Sequence, residues 1–423
     1  MICLLLLLIV APNGSPEEIS ELPKCKHINP YENLNQWLQI EPLEHRNCNY
    51  TSGPETKLTE EERVHWKFGL KSFAFDVLAS DRIGPLRKVE SHRHQLCSKT
   101  DFTTNLSVSI IIIHHNEALS VLLRMLIGIF ERTPLQLLKE IILYEDASES
   151  EHQLTSFLKQ AIEQKQWTNV RVERSDERQG LIRAKVFASR LATADVLVFL
   201  DSHCEVADGW IEPLLAPIQE DPRSVVVPIV DLINPISFEY SQAMIAKSGF
   251  DWALNFQWVY LPWEYWAEEE NNVKPFKSPS MPGGLFAIRK DYFEQLGEYD
   301  EGLEIWGGEN VELSLKTWMC GGRVLIAPCS RVGHVFRMRR PYKSKPGMDT
   351  NLFNSLRVAR AWLDDYEKYF IRARPNAARL DAGDVSHANK IKEALKCKDM
   401  KWFVENVYPE LTPNDWIEKR EEL

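Results

Sequence analysis

The sequence predicts an α/β fold in which a parallel sheet is covered by helices on both faces. Three observations carry that prediction. Four strand-like segments alternate with three helix-like ones between residues 107 and 200. The first strand is a nearly unbroken run of β-branched residues, the composition of a strand buried on both faces. Polar clusters then recur where strands end, and helices packed on both faces leave those ends as the open edge of the sheet.

Taken in order, Ser107 to Ile113 (SVSIIII) is the first strand, and an apolar-periodic helix follows across Ala118 to Glu131. Glu140 to Leu143 (EIIL) is the second strand, with Gln153 to Gln166 as its helix. Val170 to Glu173 and Leu181 to Ala192 repeat the unit, and Asp195 to Leu200 (DVLVFL) is the fourth strand. Ligands of such sheets bind beyond the carboxyl ends of the strands. Those ends read His114-His115-Asn116-Glu117, Glu145-Asp146-Ala147-Ser148 and Asp201-Ser202-His203. Helix capping accounts for one polar cluster but not for three, because a helix needs a single cap. Asp201 and His203, two residues apart, project from one face and offer a carboxylate oxygen and an imidazole nitrogen to a divalent ion. A mixed N/O set with room for water or phosphate suits manganese among several divalent metals.

Farther on, Trp306-Gly307-Gly308-Glu309-Asn310 leads into NVELSLKTWM, where Val311, Leu315, Trp318 and Met319 keep helical spacing. A glycine loop at a helix N-terminus brings backbone amides and the positive dipole end to an anion. A plain tight turn with Glu309 in the first helical turn fits the same residues. The basic stretch Arg337-Met338-Arg339-Arg340-Pro341-Tyr342-Lys343 suits a diphosphate beside a metal, or a solvated charge run.

At 423 residues, the chain has room for two to three domains or one large core with appendages. Its 44% apolar and 26% charged residues exclude a mostly disordered, collagen-like or multi-spanning chain. A net charge of −11 argues against nucleic acid as a partner. Thirteen Trp fit either a large polar-ligand or peptide cleft or an aromatic-rich core. Met1 to Val10 is shorter than the ~20 residues of a membrane span. It fits the h-region of a signal peptide, with Ala11 near the cleavage point, or the remnant of a signal-anchor. Both place the chain in the secretory pathway, the second with a membrane tether at its N-terminus. Residues 12–62, rich in Pro, Asn and Glu without sustained periodicity, read as a stem. Sequons at Asn49 and Asn105 are acceptors for N-glycosylation if exposed in a lumen. Cys3 lies in the targeting segment, and the other cysteines are scattered without a CxxC pair. That spacing argues against a zinc ribbon and favours long-range disulfides with at least one free thiol.

Together, DSH at 201–203, WGGEN at 306–310 and CSRVGHVFR at 329–337 resemble the polypeptide N-acetylgalactosaminyltransferases, Golgi enzymes that start mucin-type O-glycosylation. The likeness runs from Phe73-Ala74-Phe75-Asp76-Val77-Leu78-Ala79-Ser80-Asp81-Arg82 to Asn406-Val407-Tyr408-Pro409-Glu410-Leu411, about four-fifths of the chain. It implies a glycosyltransferase A-type (Rossmann-like) mixed sheet flanked by helices in a single catalytic domain. The implied donor is UDP-GalNAc, the cofactor Mn²⁺, and the acceptor Ser or Thr of a protein. The organisation it implies is a targeting segment (1–11), stem (12–62), lead-in (63–104), nucleotide-sugar half (105–215), acceptor half with a closing loop (216–411) and tail (412–423). The C-terminal ricin-like lectin domain usual in the family is not expected.

Carried over by motif, Asp201, His203 and His334 are the metal ligands, and Asp146 and Arg178 hold the uridine and donor. Ser202, Gly283, Gly284, Trp306, Arg340 and Tyr342 also match donor-binding positions. Glu309 and Asn310 line the sugar and acceptor region, and Arg337 neutralises the leaving diphosphate. Phe336 is an aromatic of the closing loop, and Phe250-Asp251-Trp252 to Trp258 lies on the acceptor side. The family pattern pairs Cys97 with Cys329 and Cys320 with Cys397, leaves Cys204 free, and allows Cys25–Cys48 in the stem. The sequence departs from the family at Ile113, where a small hydroxyl residue is common, and at Pro282, which replaces Ala or Ser before Gly283-Gly284. It departs again at Arg340, which replaces a histidine, and in the loop Lys343-Ser344-Lys345-Pro346-Gly347. Each hydrogen bond lost this way weakens binding by about 0.5–1.5 kcal/mol, and none removes a metal ligand. Two readings follow: an active retaining transferase of the Golgi lumen, or a catalytically weak or inactive homologue that binds and regulates there.

Overall fold

The computed structural model describes residues 22–342 and 344–411. The targeting segment 1–11, the first part of the expected stem, Lys343 and the tail 412–423 lie outside the described residues. Among the described residues, no helix is long and apolar enough to cross a membrane.

The strands are β1 (Val108–His114), β2 (Leu138–Asp146), β3 (Val170–Ser175), β4 (Val196–Asp201), β5 (Cys204–Val206), β6 (Ser224–Ile233), β7 (Tyr240–Ser241), β8 (Lys247–Phe250), β9 (Phe256–Val259), β10 (Phe276–Lys277), β11 (Phe286–Arg289) and β12 (Arg323–Val335). The main sheet runs β10-β12-β6-β11-β4-β1-β2-β3, with β5 added to β12 and β7 to β6. Strands β8 and β9 form a separate antiparallel pair. The four strands β3-β2-β1-β4 are parallel, as the alternation of strands and helices predicts. The whole sheet is mixed, because β11 runs antiparallel to both β4 and β6. No crossover helix precedes β11, so its direction is set by a long excursion through β7–β10 and not by a βαβ unit.

Strand periodicity divides the core. Along β1, Ile110 and Ile112 pack on one face with the helix Leu119–Arg132, whereas Ile111 and Ile113 pack on the other with the helix Leu181–Leu191. Every residue of β1 is buried, which is why the strand reads as a continuous apolar run and not as an alternation. The chain steps outward from β1 to β2 and β3, then returns to the opposite side of β1 as β4. That reversal opens a crevice at the carboxyl ends of β1 and β4.

The expected stem departs from the sequence reading. From residue 22 onward it lies against the core, cross-linked by Cys25–Cys48, with Leu34, Trp37 and Leu38 buried. The Trp37 indole N–H donates to the Asp81 carbonyl at 3.0 Å. These residues sit in short helical turns, too short to show a period in the sequence, and only their tertiary partners bury them. The helix Glu60–Ser72 that follows starts at a capping box between Thr59 and Glu62. The two sequons also differ: Asn49 is buried and accepts from the Thr51 hydroxyl at 2.8 Å, whereas Asn105 is exposed. Cys97 bonds Cys329, Cys320 bonds Cys397, and Cys204 is free and buried.

Candidate active site

Three elements deliver side chains to the crevice. β4 ends in Asp201, the turn to β5 carries Ser202 and His203, and β12 brings His334 alongside because it pairs with Cys204 of β5. His334 Nε2 lies 3.2 Å from Asp201 Oδ2, and the rings of His203 and His334 are 4.6 Å apart. Asp201 and His334 meet at one point of the crevice and the His203 ring stands next to His334, so a carboxylate and two imidazoles of the kind that hold a divalent transition ion lie side by side. Gly284 keeps that point open, since a β-carbon there would stand 2.3 Å from Asp201 Oδ2. Burial, and then the charge of Arg337, pushes His203 down to about 4, so the imidazole is neutral as a ligand must be. Burial would raise the Asp201 carboxyl, but the hydrogen bond and charge of His334, with Lys185 beyond, hold it well below the usual range.

Behind this set stands Glu117, in the segment that continues β1. Its Oε2 accepts from the Ser202 hydroxyl at 2.5 Å and from Arg337 at 2.5 Å, and lies 3.0 Å from His203 Nδ1. Burial would raise this carboxyl as well, but Arg337 and His203 outweigh it and keep it ionised. One buried carboxylate thus orients an imidazole, a hydroxyl and a guanidinium. Holding Nδ1 in this way leaves Nε2 of His203 as the outward ligand, an arrangement frequent behind metal-binding histidines.

The crevice opens into a cavity of about 740 Å³. Arg178, Asp201, Ser202, His203, Gly284, Trp306, Glu309, Asn310, His334, Phe336, Arg337, Arg340 and Tyr342 all line it, so the structure gathers most of the residues singled out in the sequence. Gly307 and Gly308 turn the chain at φ 102° and 85° into the helix Glu309–Met319. The loop forms the tight turn with Glu309 at the helix start, and its glycines also line the cavity. Glu309 is in the first helical turn and its Oε2 accepts the Gly307 N–H at 2.8 Å, yet it also faces the cavity. Burial raises its pKa, with Lys185 pulling the other way. The Asn310 amide donates to the Met281 carbonyl at 3.0 Å, and a β-carbon at Gly283 would stand 2.7 Å from that of Asn310. The loop after β12 lies over the cavity. Arg337 reaches Glu117, Arg340 lies 5.4 Å from the Trp306 ring centre, and Tyr342 faces Arg178 at 5.8 Å.

Asp146 and Trp252 lie outside the cavity lining. Asp146 is fully buried behind the wall, outside the cavity lining. Its carboxylate accepts from the Gln179 and Gly180 amides, the Ser175 hydroxyl and the Arg178 guanidinium. It holds the loop that aims Arg178, because its oxygens are already occupied. Burial, tempered by Tyr342, lowers Arg178 to about 10, so it stays charged. On the acceptor side, Phe250 packs on Phe403 and Tyr408, and Trp252 packs on Tyr366 and Tyr369, both inside the core. Only the later part of that segment, Leu254 to Phe256 and Trp258, reaches the cavity.

Sequence reasoning missed two residues. Glu117 stood in a flagged polar cluster, but nothing in the sequence tied it to His203 and Arg337. Lys185 carried no signal, since a lysine in an amphipathic helix reads as solvent-facing. It is buried, and its ammonium donates to the Gly283 carbonyl at 2.8 Å, just under the cavity floor.

Comparison with known proteins agrees with this fold. The family model for glycosyl transferase family 2 matches residues 109–297, and that for the "N-terminal domain of galactosyltransferase" matches residues 267–341. A Caenorhabditis elegans protein described as "Probable N-acetylgalactosaminyltransferase 8" is 60% identical over 398 residues, covering 94% of each chain. The chain belongs to the polypeptide N-acetylgalactosaminyltransferase family. Polypeptide N-acetylgalactosaminyltransferase 11 of Xenopus tropicalis is 45% identical over 81% of this chain, which spans 57% of that relative's length. Among solved structures, the crystal structure of GalNAc-T7 with UDP, GalNAc and Mn²⁺ superposes with a TM-score of 0.78 at 34% identity. It covers 95% of this chain and 75% of its own. Within this N-acetylgalactosaminyltransferase-family chain, the departures Ile113, Pro282 and Arg340 all line the cavity.

Proposed function

We propose that this chain transfers N-acetylgalactosamine from UDP-GalNAc to Ser or Thr hydroxyls of proteins with retention of configuration, using Mn²⁺. The observation that carries the reading is the contact of Asp201 with His334, with the His203 ring beside it and Arg337 next to His203, at the sheet's switch point. Asp201, His203 and His334 would hold the metal, which when bound supplies Lewis-acid neutralisation of the diphosphate. Arg337, fixed by Glu117, adds a preorganised positive charge where the leaving group gains negative charge. Tyr342 and Arg340 close over the nucleotide with Arg178 and Trp306, excluding water. Gly284 lets the sugar approach the floor, which Lys185 braces from below through the Gly283 carbonyl.

In the proposed reaction the bond between the anomeric carbon and the phosphate oxygen breaks. The acceptor hydroxyl oxygen bonds to the same face of that carbon, and its proton passes to the departing UDP. Glu309 serves to shape the sugar and acceptor region. Its Oε2 is engaged by the Gly307 amide, which weakens it as a covalent nucleophile. The intact constellation lends no support to an inactive regulatory homologue. Family membership supports the Golgi lumen as the site of action.

Transfer of radiolabelled GalNAc to a panel of mucin-type peptides tests the activity. Incorporation that requires Mn²⁺ and falls by at least about 100-fold in Asp201→Ala is expected. Absence of transfer at high enzyme concentration, with UDP binding preserved, would overturn the reading. Trapping of a glycosyl adduct on Glu309 would overturn the same-face mechanism.

A further inference from the structure

Away from the catalytic cavity, three metal-ligating side chains meet where the N-terminal segment joins the core. His27 comes from the segment before the first helical turn, His65 from the helix Glu60–Ser72, and Asp81 from the helix Val77–Ile83. None of them lines the catalytic cavity. His27 Nε2 lies 3.3 Å from Asp81 Oδ2, and His65 Nε2 lies 2.7 Å from the same oxygen. Their ligand atoms all fall within 4.8 Å of one another. The two histidine side chains are 12% and 13% exposed, and that of Asp81 is fully buried.

We propose that His27, His65 and Asp81 form a second metal site, of zinc type, that fastens the N-terminal segment to the catalytic core. Tetrahedral zinc bonds His nitrogen and Asp oxygen at about 2.0–2.2 Å, which sets ligand atoms roughly 3.3–3.5 Å apart. The His27–Asp81 separation of 3.3 Å matches that edge, while His65, at 2.7 Å, would have to move outward by roughly 0.6–0.8 Å to admit an ion. Simple hydrogen bonding accounts for the arrangement less well. Both imidazoles address one carboxylate oxygen, while Asp81 Oδ1 is buried without a hydrogen-bond partner. An ion would use that oxygen, directly or through the water at the fourth position. Among the nearby charges, Glu32 favours a cation at His65 and Glu62 neutralises Arg82 at 2.5 Å, whereas the buried Arg124 feels Asp81 and opposes a cation in part. Because the three ligands come from separate segments, binding free energy becomes stability of the docked arrangement.

The test uses the full chain, stripped with chelator and then given Zn²⁺ in the presence of saturating Mn²⁺ and UDP. Bound zinc is counted by elemental analysis after gel filtration, and Tm is measured with and without zinc. The wild type and Asp201→Asn are expected to retain about one zinc per chain. His27→Gln and His65→Gln are expected to lose at least about tenfold in zinc affinity, together with the zinc-dependent rise in Tm. Retained GalNAc transfer in His27→Gln would show that this variant folds. No zinc held by the wild type, loss of zinc in Asp201→Asn, or equal uptake by wild type and both histidine variants would each overturn the site. A Tm that shifts with pH but not with zinc would identify a hydrogen-bonded latch and would equally overturn it.

Discussion

Glu117 shows how one side chain governs others at the residue scale. Its single carboxylate oxygen serves Ser202, His203 and Arg337, so it acts through them and is a positioning residue. Glu117→Gln keeps the shape and removes the charge that Arg337 and His203 face. Mn²⁺ affinity is expected to fall by about 10–100-fold, as for outer partners of metal ligands, with part of the kcat loss persisting at saturating Mn²⁺ because Arg337 is no longer held. Titrating the transfer rate against Mn²⁺ checks this, and an unchanged midpoint would refute the positioning role. This link was not legible in the sequence, because Glu117 stands 86 residues from His203 and 220 from Arg337. Asp201 and His203 were legible, because a strand end in a parallel sheet is a marked position. His334 emerged only through the family likeness, since its strand carries no chemical signature of its own.

At the scale of elements, the helix Glu309–Met319 is anchored by unusual means. Glu312 and Lys316 are buried as an ion pair at 2.5 Å one turn apart. Burial pushes Glu312 up to about 7, with Lys316 pulling the other way. The folded-state pKa thus lies above the value of about 4.3 expected for an unfolded Glu. Between those values the folded chain binds more protons than the unfolded one, so the proton-linked stability is present at low pH and is lost as pH rises through 7. Glu312→Gln should therefore show a weaker decline of Tm between pH 5 and 7 than the native chain, measured by calorimetry. A parallel pair of Tm–pH curves would show that Glu312 does not titrate there. Strands β1–β4 and their helices could be read from apolar periodicity. The antiparallel entry of β11 and the β8–β9 pair could not, because strand direction depends on which neighbour the chain meets.

For the molecule as a whole, the N-terminal segment is part of the folded body. Trp37 is completely buried, and its indole bonds the backbone of Asp81. Trp37→Ala should cost about 3–5 kcal/mol, the range for deleting a buried aromatic. Thermal unfolding measures it, and a Tm unchanged from the native value would restore the reading of this segment as a spacer.

The sequence by itself determined the parallel half of the sheet, the strand-end carboxylate and imidazole, and the family. These follow from local period and short motifs, which a linear chain displays directly. Only the tertiary structure decided that Asp146 stands behind the wall, that Trp252 belongs to the core and that Glu117 ties the site together. It also decided that the supposed stem docks. Burial and charge pairing join residues far apart in the chain, so they exist only once the fold has brought those residues together.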